Sequence, residues 1–450
     1  MAFKEYDVFI IGTGTAGKNV AKDCAAAGLK VGISDNREYG GTCANRGCDP
    51  KKVLMGISEI LDKASKLKGK GITKFPEVSW EDVMAFKKTF VDAVPAFTEK
   101  NLDKLGIDLY HQSPRFLDEN TLSVEGKTIT ANKIVIATGQ VPMELKIPGR
   151  EYALVSDDFL ELKNLPATML FIGAGYIGME FAHIAARFGV KVTMMDFAPR
   201  PLTNFDEDMV NHLLEASKDL GIKFIFNAEV TGIEKLQKNF RVKAMQDGKE
   251  ISATAAMVFN TAGRVPSIQD LDLEKGNVEY SKEGIVVNEY LQNTTNKNVF
   301  ACGDVSASKG LPLTPLSSEE ARIVSANILN KNSEKVDYPP QPSVVFTLPN
   351  LASVGLSEEE AKEKDLDFTV ELKLVPDWFN AKRLNEKGYA YKTLVDNKTG
   401  QIIGAHLLGP EASEVINLFA MAIYAKLKHS DFKKMIFAYP SWGNDVKGMV

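Results

Sequence analysis

The chain has 450 residues, of which 44% are hydrophobic and 25% charged, an ordinary composition for a globular protein of about three domains. Its net charge of −5 argues against nucleic acid or an anionic membrane as a partner, and no segment is long and apolar enough to cross a bilayer. Four cysteines are too few for a disulfide framework, and no signal peptide precedes the first predicted strand, so we expect a cytoplasmic protein.

A dinucleotide-binding unit is predicted at the start of the chain. Strand, glycine turn, helix, strand and acid follow one another at residues 6–11, 12–17, 18–27, 30–34 and 35. This order is the dinucleotide fingerprint in its full context. Gly12, Gly14 and Gly17 allow a tight turn and the close approach of a pyrophosphate, which the helix N-terminus binds. Asp35 is placed to accept a hydrogen bond from a ribose hydroxyl.

Two cysteines, Cys43 and Cys48, follow in the segment GGTCANRGCDP at residues 40–50. We predict both thiols on the first turn of a helix, where partial positive charge favours the reactive thiolate. Such a pair can close and reopen a disulfide beside the cofactor of the upstream loop. The alternatives are two buried cysteines or half of a zinc site. Zinc needs further ligands at short spacing, and Cys24 and Cys302 are isolated, so we favour redox chemistry and expect no metal site.

The same dinucleotide unit recurs. Strand, turn, helix, strand and acid lie at residues 168–172, 173–178, 179–188, 191–195 and 196. Two fingerprints indicate two dinucleotides, and together with a dithiol they suggest that hydride enters at one cofactor and leaves through the other. Asp196 can bond the 2′-hydroxyl of NADH and repel a 2′-phosphate. Arg200 could instead face a phosphate, or be a solvent-exposed loop charge. We predict NADH over NADPH.

The remaining elements are read from apolar runs and turn residues. Buried strands that end in a turn are predicted at residues 134–139, 260–266 and 298–305, and boundaries at 147–149 and 338–342. Beyond the second boundary, strand-like runs are found at 343–347, 389–395 and 402–408, and helical runs at 358–364 and 412–428. This mixture predicts an α+β domain on an antiparallel sheet.

Further segments complete a pattern that spans the chain. They are ATG at 137–139, TAGRVP at 261–266, ACGDV at 301–305, FTLPNLASVGLSEEEA at 346–361 and GAHLLGPEASE at 404–414. With the cysteine segment and both glycine turns, they resemble the class I pyridine nucleotide–disulfide oxidoreductases, the family of glutathione reductase, lipoamide dehydrogenase and mercuric reductase. The resemblance implies an α/β fold with two Rossmann-like dinucleotide-binding domains and a C-terminal α+β dimerisation domain. The implied domains are FAD-binding (1–149), NAD(P)-binding (150–265), central (266–337) and interface (338–450), in a head-to-tail homodimer acting on a small-molecule substrate.

The resemblance also implies the cofactor-binding residues. FAD would be held by Gly12, Gly14, Gly17, Asp35, Thr42, Gly139, Gly303 and Asp304, with Asp304 on the ribityl chain. NADH or NADPH would be held by Gly173, Gly175, Tyr176, Gly178, Asp196 and Gly263. In the family a tyrosine at the place of Tyr176 covers the flavin until the nicotinamide displaces it. Ordinary packing in the turn is the alternative.

The implied catalytic residues are Cys43, Cys48, Lys52, Glu180 and Tyr439. By the family pattern Cys48 is the sulfur nearest the flavin and forms a charge-transfer complex as thiolate, while Cys43 attacks the substrate. Lys52 matches the lysine near the flavin N5, and Glu180 matches its ion-pair partner. The flavin carries the electron chemistry, and the protein supplies placement and electrostatics.

The chain departs from the family at residues 439–444. Disulfide reductases of this family have His-Pro-Thr-x-x-Glu there, given by the partner subunit, and the histidine shuttles protons to the exchanging thiol. Here Tyr439 replaces the histidine and Asn444 the glutamate, with Asp445 one residue out of register. An unperturbed tyrosine has a pKa of about 10 and is a poor acid–base at neutral pH. Packing of Tyr439 and Trp442 at the dimer interface is the alternative to catalysis.

Three hypotheses of function follow. The first is reduction of a small disulfide or thiol-reactive substrate, with Tyr439 in the acid–base place. The second is reduction of metal ions, as in mercuric reductase, or of quinones, or a dihydrolipoamide dehydrogenase-like activity. Mercuric reductase also lacks the histidine, but it has a C-terminal cysteine pair that residues 445–450 do not contain. The third is a flavoprotein redox sensor of low turnover.

Overall fold

The computed structural model describes residues 3–450 and shows a mixed α/β protein. In chain order the α-helices are Thr15–Ala26 (α1), Gly41–Arg46 (α2), Cys48–Lys66 (α3), Trp80–Val91 (α4), Val94–Asp103 (α5), Ser156–Phe159 (α6), Tyr176–Arg187 (α7), Glu207–Asp219 (α8), Thr314–Leu329 (α9), Glu358–Glu363 (α10), Phe379–Arg383 (α11), Ala412–Tyr424 (α12), His429–Lys434 (α13) and Trp442–Asp445 (α14).

The strands in chain order are Phe3–Ile11 (β1), Val31–Ser34 (β2), Asp108–Tyr110 (β3), Arg115–Phe116 (β4), Thr121–Val124 (β5), Lys127–Ile136 (β6), Gln140–Pro142 (β7), Ala153–Leu154 (β8), Thr168–Ile172 (β9), Lys191–Met195 (β10), Lys223–Ile225 (β11), Ala228–Lys235 (β12), Phe240–Gln246 (β13), Lys249–Ala255 (β14), Met257–Asn260 (β15), Arg264–Pro266 (β16), Tyr280–Ser281 (β17), Gly284–Ile285 (β18), Val299–Ala301 (β19), Ser343–Val345 (β20), Asn350–Gly355 (β21), Phe368–Leu374 (β22), Ala390–Asp396 (β23) and Ile402–Gly409 (β24).

The first of two compact units contains the described residues up to Val53, with Ala85–Met143 and Arg264–Tyr338. Its main sheet has the strand order β3-β2-β1-β6-β5-β4, and β19 also pairs with β6. The strands β3, β2, β1, β6 and β19 are parallel. Parallel strands end at one edge of a sheet, so the loops that follow β1, β2, β6 and β19 lie together. Apolar residues bury both faces of this sheet, as expected for parallel strands.

The second unit contains Leu54–Met84, Glu144–Gly263 and Pro339–Val450, and it holds a second parallel sheet. The order is β11-β10-β9-β15-β8, with α7 between β9 and β10 in the chain. A separate antiparallel sheet is formed by β12, β13 and β14. The glycine turn at 173–178 follows β9, so it lies at the carboxyl edge of its sheet, as the turn at 12–17 does in the first unit.

The C-terminal part of the second unit is an α+β arrangement on an antiparallel sheet of order β20-β21-β24-β23-β22. Helix α12 packs on this sheet through buried residues that include Val415, Ile416 and Phe419. The predicted fold class, two Rossmann-like units and a C-terminal α+β domain, is confirmed.

Several element boundaries differ from the sequence prediction. Helix α1 begins at Thr15 rather than residue 18, because the helix starts directly after the N-cap Gly14. The helix predicted over 412–428 ends at Tyr424, and Lys426, with φ of 53°, turns the chain before α13. Within the described residues, helices long and apolar enough to span a membrane are absent.

Candidate functional site

The first glycine turn is closed by backbone atoms, which explains its glycines. Gly12 has φ of 108°, and a Cβ atom there would lie 2.3 Å from the carbonyl oxygen of Ala137. A Cβ on Gly17 would lie 2.0 Å from the carbonyl oxygen of Gly12. Such distances exclude any side chain at either position. Glycine at these two positions lets the turn close tightly on its own backbone and on Ala137, as the dinucleotide fingerprint requires.

Asp35 is fixed at the end of β2 by the glycine turn. Its Oδ2 accepts hydrogen bonds from the backbone N–H of Thr13 at 2.8 Å and from the Thr13 hydroxyl at 2.6 Å. Its Oδ1 accepts from the backbone N–H of Arg37 at 3.0 Å. The carboxylate thus has a fixed orientation at the carboxyl edge of the sheet, where the prediction places the ribose.

The two thiols lie on different helices, which corrects the prediction of a single first turn. Cys43 is in the short helix α2, and Cys48 is the first residue of α3. Gly47 separates them with φ of −139° and ψ of −111°, so no continuous helix joins them. The structure records both cysteines as free thiols, with Cys43 partly buried and Cys48 exposed.

Cys48 is the more acidic thiol of the pair. The hydrogen bond with Cys43 lowers the pKa of Cys48 to about 6, and the hydroxyl of Thr314 and the charge of Lys51 act in the same direction. The same hydrogen bond raises the pKa of Cys43, and burial adds to that effect. In the reduced pair, Cys43 therefore keeps its proton and Cys48 is the thiolate at neutral pH.

Thr314 is a candidate functional residue that the sequence analysis missed. Its hydroxyl lies 3.8 Å from Sγ of Cys48, although 266 positions separate the two residues. Thr314 begins α9, a helix of 16 residues, and Pro315 follows in its first turn. The sequence signal was present, since proline just inside a helix marks its start. Only the fold brings this helix start to the thiol.

The thiol segment contacts the glycine turn directly. Gly41 has φ of 79°, and a Cβ atom there would lie 2.4 Å from Cα of Gly14. Thr42, the next residue, is exposed, and the hydroxyl of Thr13 accepts from the backbone N–H of Gly40 at 3.1 Å. The nucleotide turn and the thiols are therefore packed within one unit, as the prediction of a dithiol beside a cofactor requires.

Gly303 and Asp304 follow β19 at the same sheet edge and line a cavity of about 150 Å³. Gly303 has φ of 72°, and its backbone N–H donates to the buried carboxylate of Glu320 at 2.6 Å. Burial raises the pKa of Asp304, against the charge of Arg264. Gly139, with φ of 66°, ends the segment after β6 and has open space on its Cβ side.

Two buried hydroxyls in this unit lack partners within the described residues. They are Oγ1 of Thr138, beside the first glycine turn, and Oγ of Ser306, in the lining of the cavity. Buried polar atoms are rarely left unsatisfied, so each points to a polar ligand. The glycine turn, the fixed Asp35 and these hydroxyls fit FAD.

The second glycine turn repeats the first in its backbone contacts. Gly173 has φ of 100°, and a Cβ there would lie 2.5 Å from the carbonyl oxygen of Thr261. A Cβ on Gly178 would lie 2.4 Å from the carbonyl oxygen of Gly173. At Gly175 a Cβ would meet nothing within 4 Å. The centre of this turn is open.

Tyr176, Asp196 and Gly263 are the other residues that we predict to bind the nicotinamide cofactor. Tyr176 begins α7 with a half-exposed side chain, and Gly263, with φ of 139°, follows β15. Asp196 follows β10. Its Oδ2 accepts from the backbone N–H of Ala174, and its Oδ1 accepts from that of Ala198 at 2.8 Å. This pattern matches that of Asp35.

Arg200 is engaged with its own loop, which differs from both sequence readings. Its guanidinium donates to the backbone carbonyls of Pro201, Leu202, Thr203 and Phe205 at 3.1–3.4 Å. Arginine donates five N–H bonds from one plane, and here that capacity stabilises a loop. The sequence analysis weighed a phosphate contact against a solvent-exposed loop charge and did not anticipate these bonds, because they depend on the loop conformation.

Glu180 and Tyr439 both lie in the second unit. The carboxylate Oε1 of the buried Glu180 accepts from the backbone N–H of Phe346 at 2.8 Å. The Tyr439 side chain is 72% exposed, and its ring centre lies 6.2 Å from that of Phe379. Lys52, in the first unit, is on α3 one turn after Cys48.

The carboxylate nearest Tyr439 in the sequence already has partners. Oδ2 of Asp445 accepts from the Tyr389 hydroxyl at 3.0 Å and from Nδ2 of Asn380 at 3.1 Å. Burial raises the pKa of Asp445, against these two hydrogen bonds. Asp445 therefore stabilises the packing of the C-terminal segment.

The family models match nearly the whole chain. A model described as pyridine nucleotide-disulphide oxidoreductase matches residues 6–321. A second, described as the dimerisation domain of the pyridine nucleotide-disulphide oxidoreductases, matches residues 341–450. The two matches cover both glycine turns, both thiols and the C-terminal sheet.

Individual relatives extend over similar lengths. The chain is 32% identical to a glutathione reductase of Nostoc sp. over 97% of both proteins. It is 31% identical to a mercuric reductase of Staphylococcus aureus, over 98% of this chain and 81% of that protein. Among solved structures, the Cu(II) complex of the HOCl-induced flavoprotein disulfide reductase RclA from Escherichia coli superposes with a TM-score of 0.88, at 29% identity and 99% coverage of both chains.

Proposed function

The chain belongs to the pyridine nucleotide-disulphide oxidoreductase family, and we propose that it transfers electrons from NADH through FAD and the Cys43–Cys48 pair to a thiol-reactive acceptor. Membership makes it an enzyme of FAD- and NAD(P)H-dependent disulfide oxidoreduction. The observation that carries the proposal is the pair of free thiols, Cys43 and Cys48, in a segment that packs against the first glycine turn, with Sγ of Cys48 3.8 Å from the Thr314 hydroxyl.

The FAD site of the proposal lies in the first unit. Its residues would be Gly12, Gly14, Gly17, Asp35, Thr42, Gly139, Gly303 and Asp304. Bound FAD would supply the two-electron chemistry that links a hydride donor to a disulfide. The fixed carboxylate of Asp35 would hold a ribose, and Asp304 would bond the ribityl chain. The unpartnered hydroxyls of Thr138 and Ser306 would gain partners from the same ligand.

The thiols complete the electron balance. Two electrons and one proton convert the Cys43–Cys48 disulfide into the Cys43 thiol and the Cys48 thiolate. The Cys43 hydrogen bond and the Thr314 hydroxyl stabilise that thiolate, so it needs no second proton at neutral pH. Cys43 would then attack the acceptor once its proton is removed, since the thiolate is the nucleophile.

The preference for NADH rests on two residues. Asp196 presents a carboxylate at the end of β10, where it can accept from a 2′-hydroxyl and repel a 2′-phosphate. Arg200, a cation close in sequence, is bound to four backbone carbonyls. Steady-state kinetics with each cofactor test this preference, and a higher kcat/KM for NADPH would contradict it. If Arg200 only stabilises its loop, Arg200→Ala should lower kcat/KM for both cofactors and leave the ratio of the two kcat/KM values unchanged.

Four further assignments are part of the same proposal. Lys52 would pair with Glu180 near the flavin, and Tyr176 would cover the flavin until the nicotinamide arrives. The chain would form the head-to-tail homodimer of its family, with domains at 1–149, 150–265, 266–337 and 338–450. It would act in the cytoplasm, because a reducing compartment suits a chain of four cysteines without a disulfide framework.

Family membership does not identify the electron acceptor. Tyr439 and Asn444 stand where disulfide reductases have histidine and glutamate, and Asp445 is engaged with Tyr389 and Asn380. The chain therefore has no carboxylate–histidine pair there to protonate a leaving thiol. We expect slow turnover of glutathione-like disulfides. Tyr439→His should raise that turnover at least about tenfold, because a positioned histidine contributes that much or more to proton transfer.

A metal ion is the second candidate acceptor. Its reduction needs little proton transfer to sulfur, which fits the missing histidine. A mercuric reductase and the Cu(II) complex of a flavoprotein disulfide reductase are among the similar proteins, so Hg(II) and Cu(II) are the ions to test. NADH oxidation that either ion stimulates, and that Cys43→Ser abolishes, would support this candidate. Stimulation that survives in Cys43→Ser would contradict it.

A low-turnover redox sensor is distinguished by the same assays. It predicts a flavin that NADH reduces, with negligible turnover on disulfides, metal ions and quinones. Sustained turnover on any of these acceptors would exclude it.

A further inference from the structure

Phe197 is an exposed aromatic residue directly beside the proposed nicotinamide cofactor site. It follows Asp196 at the end of β10, and its side chain is 75% exposed, more than any other phenylalanine whose side chain is described. Single exposed apolar residues are common on proteins, so exposure alone indicates nothing. The loop that carries Phe197 gives the position its meaning.

Hydrogen bonds within this loop fix its conformation, and two others join it to neighbouring segments. Arg200 donates to four carbonyls within it, as described above. The backbone N–H of Leu202 donates to the carbonyl of Ala174, in the second glycine turn, at 3.1 Å. The N–H of Asn227, just before β12, donates to the carbonyl of Ala198 at 3.1 Å. The backbone on both sides of Phe197 is thus fixed to the glycine turn and to the neighbouring strand.

An aromatic ring is not needed to build this turn. In the first unit the matching acid, Asp35, accepts from the backbone N–H two residues later, as Asp196 does, and Asn36 occupies the intervening place. The same local hydrogen bond therefore forms with a polar residue between its partners. The chain has an exposed ring at the second turn without a packing requirement.

The role of the acid in dinucleotide folds indicates which ligand this ring would contact. In dinucleotide folds, the acid at the end of the second strand binds the ribose of the adenosine half, and that ribose carries adenine. A ring adjacent to the acid is placed to meet the base, whose π face stacks well on aromatic side chains. We propose that Phe197 is a preformed stacking platform for the adenine of NADH and so a determinant of cofactor affinity. This inference rests on the proposed function.

The proposal predicts different effects on the two halves of the cofactor, the adenosine half and the nicotinamide half. In Phe197→Ala holoenzyme, the Kd for ADP-ribose, measured by calorimetry, should rise about tenfold, within the range that stacking on one base contributes. The KM for NADH should rise similarly with kcat unchanged. The KM for reduced nicotinamide mononucleotide, which has no adenine, should not move. Phe197→Trp should restore ADP-ribose binding, and Phe197→Leu should restore only part of it.

Phe75 supplies a matched control, since it is an exposed phenylalanine at 48% in the second unit, outside the glycine turn and its loops. Phe75→Ala should leave all three constants unchanged. Unchanged ADP-ribose binding in Phe197→Ala, or an equal loss with reduced nicotinamide mononucleotide, would overturn the proposal. Failure of the proposed function itself would look different, because neither reduced nucleotide would then reduce the flavin of the parent protein.

Discussion

The two glycine turns have similar backbone contacts, but the thiol segment packs against the first turn, whereas the space beside Gly175 in the second turn is open. A Cβ atom on Gly41 would lie 2.4 Å from Cα of Gly14, so the thiol segment is pressed against the first turn. A Cβ on Gly14 itself would lie 3.9 Å from Cα of Gly41, whereas at Gly175, the equivalent position, a Cβ would meet nothing within 4 Å. The hydroxyl of Thr13 also closes on Asp35, whereas the matching Ala174 has only its backbone N–H.

This difference fits two cofactors with different lifetimes on the protein. A cofactor held at a turn that other segments cover leaves slowly, as FAD should if it serves many turnovers. A cofactor that must enter and leave in every cycle needs an open turn, as NADH does. One motif therefore supports permanent and exchangeable binding, and the packing around it decides which.

The largest expected effect comes from breaking the closed turn. Gly41→Ala puts a side chain at φ of 79° and into the backbone of Gly14. Both effects are severe, and we expect the first unit to lose about 2–4 kcal/mol of stability. The purified protein should contain little FAD, as measured by its flavin-to-protein absorbance ratio, and should melt at a lower temperature.

A matched glycine on α3 serves as control for that change. Gly56→Ala meets no atom within 4 Å outside its own helix and should be neutral or stabilising. Full FAD content in Gly41→Ala would show that the thiol segment does not close the first turn.

An intermediate effect is expected at the open turn. Gly175 has φ of −74°, which alanine adopts easily, so Gly175→Ala should fold normally. Its new methyl would point into open space, where the backbone must admit a pyrophosphate, and NADH affinity should fall about tenfold. Stopped-flow reduction of the flavin at varied NADH measures this affinity. Unchanged affinity, or loss of FAD, would contradict the contrast between the turns.

The smallest effect concerns the thiols Cys43 and Cys48, which lie beside the first glycine turn. Thr314 lowers the pKa of Cys48, so Thr314→Val should raise that pKa from about 6. Because the thiolate exists above its pKa, the variant should carry less thiolate between the old and the new value. The ultraviolet absorption of the thiolate, followed against pH in the reduced protein, should show its midpoint moved upward by about half a unit, the size expected for one weak hydrogen bond.

A parallel titration identifies the residue that is followed. Cys48→Ser should remove the transition near pH 6, since Cys43 has the higher pKa of the two. A transition near pH 6 that persists in Cys48→Ser would assign the acidic thiol to Cys43 instead.

The sequence predicted what local patterns determine. Strand Thr168–Ile172 has the predicted bounds, and both fingerprints lie at the carboxyl edges of parallel sheets. Repeated motifs and hydrophobic runs determine these features, so they can be read without a fold. The confirmed fold class and family follow from the same motifs.

The sequence did not predict what distant packing determines. Thr314 reaches Cys48 only because the fold joins segments 266 positions apart. The interruption at Gly47, the bonds of Arg200 and the engagement of Asp445 depend on backbone conformation that residue types do not fix. Helices α4 and α5 carry no motif and were also missed.

The electronic contact between Cys48 and the flavin is tested most directly by anaerobic titration of the purified protein with NADH. The account predicts a long-wavelength absorption band after two electrons, which arises from the Cys48 thiolate beside oxidised flavin and is absent in Cys48→Ser. Direct bleaching of the flavin by the first two electrons, with identical spectra for the parent and Cys48→Ser, would contradict it.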